Sequence, residues 1–180
     1  LPSQIMENWV GEETVLELFA HHYETGEALP NNLLEKIKIS KNFRSGSNCL
    51  RQLTFGYLDM AWFGHDNQVE DVSQFEKKAI EKTILLPDDT PNASISTMFS
   101  HIFAGGYSAG YYSYKWAEVL DADAFEKFKE EGIFNKKTAK SFRDNILSQG
   151  NIKHPMELYK SFRGREPQVD ALMKREGLLK

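Results

Sequence analysis

The chain has 180 residues, a formal net charge of −4, 41% hydrophobic residues and one cysteine, Cys49. That length supports a real core, and the slight acidity argues against nucleic acid, whose phosphates need clustered Lys and Arg. A single cysteine leaves no internal disulfide and no cysteine-based metal site, which favours a cytosolic setting, and no apolar run approaches the roughly 20 residues of a membrane span.

Helix signals dominate in chain order. Pro2 and Ser3 open a helix through QIMENWV, and GEETVLELFAHHY continues it with Val15, Leu16, Leu18 and Phe19. TGEALPNN is a break, after which Pro30 leads into a helix carrying Leu33, Leu34, Ile37 and Ile39. A second break at 44–47 precedes NCLRQLTFGYLDMAWF, where Leu50, Leu53, Tyr57 and Met60 recur at helical spacing. DVSQFEKKAIEKTIL is amphipathic, with Val72, Phe75, Ala79 and Ile80 on one face, and LLPDDTPNAS reads as a loop. A long helix through WAEVLDADAFEKFKEEG stops at Gly132. Three more follow: one ending near Gly150, one from Pro155, and one after Pro167. No run alternates at period two. The expectation is all-α: several mostly antiparallel helices forming a single unit over 1–180.

The stretch HIFAGGYSAGYYSYKW concentrates chemistry. It places Tyr107, Tyr111, Tyr112 and Tyr114 beside Gly105, Gly106 and Gly110 and behind His101. With a helix starting near Tyr107, ~100° per residue puts Tyr107, Tyr111, Tyr114 and Glu118 in one arc. Tyr112, Trp116, Val119 and Asp123 then take the opposite side, as the natural core face. Two readings stay open. The phenols cover a neighbouring helix with their hydroxyls at its edge, or they line a cleft as neutral donors to developing negative charge. The glycines fit a simple turn, or a loop that approaches a ligand and moves.

Other candidates are thinner. His21 and His22 are adjacent and make a poor chelate, since a helical zinc pair needs spacing of four. Asn92, Ala93 and Ser94 fit a glycosylation acceptor, which matters only with export. Arg163, Arg165 and Glu166 are expected to form ion pairs locking the C-terminal stretch.

HIFAGGYSAGYYSYKWAEVL closely resembles the C-terminal part of the catalytic domain in the thimet oligopeptidase, oligopeptidase A and peptidyl-dipeptidase family of zinc metallopeptidases. LPSQIMENW, FRDNILSQG and FRGREPQVDALMKREGL resemble the same family in the same order, over essentially the whole chain. In that family two histidines of His-Glu-x-x-His and a later glutamate hold zinc, and the glutamate directly precedes Leu-Pro-Ser-Gln. The resemblance therefore implies that the zinc ligands and the general-base glutamate lie upstream of Leu1. Methionine's absence at position 1 agrees, as does a chain that is the C-terminal portion of a larger helical catalytic domain. It implies a parent enzyme with zinc that hydrolyses short peptides, and an inactive isolated chain. Tyr114 and then Tyr111 match tyrosines that meet the peptide and its tetrahedral intermediate. Tyr107 matches a neighbouring tyrosine, Gly105 and Gly106 a mobile glycine loop, and His101 a histidine near the substrate. KWAEVLDADAF and LPSQIMENW look somewhat closer to oligopeptidase A. Separated from its missing N-terminal part, the chain is expected to self-associate. The alternative is a helical binding or scaffold module that holds a protein partner on its tyrosine face.

Overall fold

The computed structural model describes residues 1–64, 68–86, 90–91 and 93–179. The Asn92 acceptor and the Pro-Asp-Asp part of the expected loop at 87–89 lie outside the described residues. The chain is all-α: the described residues hold ten α-helices and no strand, with one isolated antiparallel bridge between His21 and Ala28. Contacts divide it into two compact units, residues 1–43 with 116–180, and residues 44–115.

In the first unit α1 (Pro2–Trp9) begins on a proline, whose fixed φ suits the first helical turn. It is followed by α2 (Glu13–Leu16) and α3 (Asn31–Lys41). The helix expected through Phe19 and His22 stops early. Nδ1 of His22 accepts from the amides of Glu24 and Thr25 at 3.3 and 3.2 Å, and Gly26 at φ 72° turns the chain back. Such local side-chain bonds compete with the helical ladder. Helix α7 (Ser113–Glu131) ends at Gly132, φ 109°, as its sequence predicts. Asn135 then caps α8 (Lys136–Phe142), which loosens into a π-helical turn over Arg143–Leu147. Helices α9 (Pro155–Arg163) and α10 (Asp170–Arg175) complete the unit. Its core joins Ile5 to the aromatic rings of Phe125, Phe128, Phe142, Tyr159 and Phe162.

Two buried aspartates tie this unit together. Asp123 accepts from Oη of Tyr159 at 2.7 Å and from Arg165 at 2.5 and 3.1 Å, while Arg163 pairs with Glu130 at 2.9 and 3.0 Å. Glu166 pairs with Lys160 at 2.6 Å, so the expected ion pairs form. Asp121 takes the guanidinium of Arg175 and the amide of Asn8, joining α10 and α1 to α7.

The second unit is built on α4 (Ser45–Phe63), with α5 (Val72–Ile80) and α6 (Ser100–Phe103). The row Leu53, Tyr57 and Met60 is exposed; α4 instead buries Thr54, Leu58 and Asp59. Its core gathers Leu58, Ile80, Phe99, Ile102 and Tyr111, with Phe55, Trp62 and Tyr114 packed against it. Glu76, buried on α5, accepts from Oγ of Ser94 at 2.8 Å and from the amides of Ile95 and Ser96 at 2.9 and 2.7 Å. This fixes the 3-10 turn Ser96–Met98 that delivers Phe99 to the core and sets where α6 begins.

Candidate substrate-binding site

The tyrosine stretch is not helical from Tyr107. After α6 the backbone folds into tight turns: the amides of Ala104 and Gly105 donate to Ser100 O at 2.7 and 2.8 Å, and that of Tyr107 to His101 O at 3.1 Å. A Cβ on Gly105 would stand 2.8 Å from His101 O and 2.9 Å from its Cα, so only glycine fits. Gly106 takes φ +79°, the left-handed region that glycine enters at little cost. The other left-handed residue of these turns is Ala109, φ 53°, rather than Gly110. Helix α7 starts only at Ser113.

The phase expected from a helix starting at Tyr107 is therefore wrong for this segment. Tyr111 is 8% exposed and belongs to the core, whereas Tyr112 and Trp116, expected inside, are 61% and 49% exposed. The cause is a long-range bond. Asp59, wholly buried in α4, accepts the amide of Ala109 on Oδ1 at 2.8 Å and that of Tyr111 on Oδ2 at 2.9 Å. It draws Tyr111 inward, edge-on to Phe99 at 5.1 Å and to Phe55 at 5.5 Å.

The site residues nonetheless come together. The ring of Tyr114 lies 5.0 Å from Tyr111 and 5.2 Å from Tyr107. His101 lies across them, 6.0 Å from Tyr111, 6.2 Å from Tyr107 and 6.5 Å from Tyr114. Tyr111 forms the buried end of this cluster, Tyr114 is half-buried, and Tyr107 and His101 are exposed. Burial raises the Tyr111 phenol above its usual range, partly offset by the Arg51 guanidinium. The Tyr114 phenol is pushed up to about 12, first by its hydrogen bond with Tyr107, then by burial and by the neighbouring phenols. Both therefore remain neutral donors at physiological pH.

Gly105→Ala is expected to displace His101 and the turn together, because the collision is with backbone. Circular dichroism should show the helices retained while the amide resonances of residues 101–107 shift. An unshifted spectrum would mean the turn is looser than its geometry.

A cavity of about 1020 Å³ in the second unit lies elsewhere, lined by Met60, Gly64, Gln68, Asp71, Phe75 and Lys78. Its wall, among the described residues, includes none of the four clustered rings. Among the described residues no group of three or more His, Cys, Asp or Glu side chains could hold a metal ion. Nor is any helix among them long and apolar enough to cross a membrane.

The sequence profile described as Peptidase family M3 matches residues 1–178. The chain belongs to peptidase family M3. It is 49% identical to oligopeptidase A of Escherichia coli (strain K12) over 179 residues, which are 99% of this chain and 26% of that protein. It is 36% identical to dipeptidyl carboxypeptidase of Salmonella typhimurium over 98% of this chain and 26% of that protein. It is 33% identical to saccharolysin of Saccharomyces cerevisiae over 98% of this chain and 25% of that protein. The chain thus spans about a quarter of the length of the curated M3 relatives it matches.

Asp59 is the site residue that sequence reading missed. Its signal is a lone carboxylate in the apolar run of α4, which becomes meaningful only once the turn 50 positions later is placed against it.

Proposed function

We propose that this chain supplies the substrate-facing wall of a zinc metallopeptidase that hydrolyses short peptides. The observation that carries the reading is the joining of His101, Tyr107, Tyr111 and Tyr114 beside a glycine turn, in a chain of family M3. When an oxygen nucleophile adds to a peptide carbonyl, negative charge moves onto the carbonyl oxygen. A neutral phenol aimed at that position donates a hydrogen bond that strengthens as the charge grows. Tyr114 is the first donor, being half-buried and held protonated, and Tyr111 the second. Tyr107, His101, Gly105 and Gly106 hold the peptide, the glycines allowing its backbone to come close. Contacts to peptide backbone accept many side chains, which suits a general cytoplasmic oligopeptidase.

Zinc is the cofactor the resemblance implies. Its ligands are those the resemblance puts upstream of Leu1, and among the described residues no group of His, Cys, Asp and Glu side chains fits the metal. The chain's exposed Tyr112 and Trp116 then belong to faces that the rest of the enzyme would cover. The 180-residue chain by itself is accordingly expected to self-associate, as light scattering would read; a strictly monomeric chain would speak against this.

The test is hydrolysis of a quenched short peptide. The full-length polypeptide should cleave it, lose activity to a chelator and regain it with zinc. Residues 1–180 alone should show no cleavage with zinc present. Cleavage by residues 1–180, or indifference of the full-length protein to chelation, would contradict the proposal.

A further inference from the structure

Asp59 lies on α4, in the second unit. It is wholly buried, and its two oxygens are both engaged by backbone amides of one turn, Ala109 at 2.8 Å and Tyr111 at 2.9 Å. The turn it holds does not suit the sequence locally. Ala109 sits at φ 53°, where a residue with a Cβ is strained by ~1–2 kcal/mol. Tyr111 must also leave solvent for the core just before a helix begins. A second tie, from Oγ of Ser108 to Ile102 O at 2.5 Å, fastens the same turn to α6. From Tyr111 the connection continues: its carbonyl accepts the amide of Tyr114 at 3.2 Å, setting the first turn of α7. Asp59 thereby acts on the Tyr111 and Tyr114 rings through the backbone of this turn.

We infer that Asp59 is a positioning residue for the tyrosine donors: its carboxylate clamps the turn 109–111 and fixes the Tyr114 hydroxyl relative to a bound peptide. The inference rests on the proposed role of Tyr114. Asparagine at this position keeps the shape of the side chain. It replaces one acceptor oxygen with an NH₂ group that faces a backbone N–H, so one arm of the clamp opens. A displacement on the order of 1 Å at the reacting centre costs about 10²-fold in rate. A purely structural aspartate would instead lower stability and leave turnover of the folded enzyme intact.

The experiment is a double-mutant cycle on the full-length peptidase, with Asp59→Asn, Tyr114→Phe and both together. The expected result is a fall in kcat of about 10²-fold for Asp59→Asn with KM nearly unchanged. In the Tyr114→Phe background that further loss should shrink to the part carried by Tyr111, because the two changes share the Tyr114 interaction. A loss from Asp59→Asn equally large in both backgrounds overturns the positioning role while leaving the donor role of Tyr114 standing. Wild-type turnover in Tyr114→Phe removes the donor role itself, and the role of Asp59 with it. Should Asp59→Asn fail to fold, hydrogen exchange on the unmodified enzyme still tests the clamp that the positioning role requires. The amides of Ala109 and Tyr111 should exchange slowly although Ala109 is exposed, and exchange at open-loop rates overturns the clamp.

Discussion

Tyr114→Phe in the full-length enzyme is expected to lower kcat by about 10²–10³-fold, the usual loss when one oxyanion donor is removed. Binding of the peptide in its ground state should barely change. The substitution removes a single oxygen and with it the hydrogen bond to Tyr107. The ring remains, with its neighbours Tyr111 at 5.0 Å and Tyr107 at 5.2 Å, so packing is kept. The phenol is held protonated to about 12, so the donor form persists through neutral and moderately alkaline pH. Steady-state kinetics on a quenched peptide reads the split: loss in kcat with KM steady supports a donor that acts in the transition state. Equal weakening of substrate binding would make Tyr114 an ordinary contact.

The largest expected effect on stability lies in the first unit. Asp123→Ala is expected to destabilise it by about 3–5 kcal/mol, as breaking a buried ion pair from one side does. Asp123 is 1% exposed and gathers three partners: the Tyr159 hydroxyl at 2.7 Å, the Arg165 guanidinium at 2.5 and 3.1 Å, and Arg163 Nε at 3.6 Å. Without the carboxylate, the Arg163 head stays largely buried with only Glu130 opposite it. Tyr159 keeps only its longer bond to Leu120 O at 3.3 Å. Burial and the bond to Asp123 push the Tyr159 phenol upward, so this hydroxyl is a donor at neutral pH. Since a domain has only about 5–15 kcal/mol in total, the variant should melt far below the parent in a thermal scan. A melting temperature within a degree or two of the parent would mean that the aspartate is not the keystone of α7, α9 and the 163–166 turn.

Much of the helical outline was legible because its stops are chemical. Gly132 and Gly164 adopt the left-handed conformations that end α7 and α9, and Pro2 and Pro155 sit at helix starts where a missing amide costs nothing. The failures share a cause that periodicity does not contain. At 17–23 the expected helix gives way, because the His22 side chain takes the amides of Glu24 and Thr25 and a local turn replaces the helical ladder. At 107–112 a carboxylate from α4 captures two amides, so the helical phase read forward from Tyr107 puts Tyr111 and Tyr112 on the wrong sides. On α4 the regular row Leu53, Tyr57 and Met60 is exposed, while the packed side carries Thr54, whose hydroxyl meets Thr83 at 2.8 Å. The grouping of His101 with the three phenols survived these errors. It depends on their nearness in sequence and on the glycines that bend the chain back, and less on the helix they were assigned to.

On the proposed function, the Tyr114 hydroxyl meets the oxygen that becomes negative during peptide hydrolysis. A crystal structure of the full-length enzyme with a phosphinic peptide, whose tetrahedral phosphorus carries oxygens like those of the intermediate, tests it directly. The expected result is the Tyr114 hydroxyl about 2.7–3.1 Å from a phosphinyl oxygen, with Gly105 and Gly106 alongside the peptide backbone. A bound phosphinate with Tyr114 turned away, and another side chain in its place, would contradict the claim.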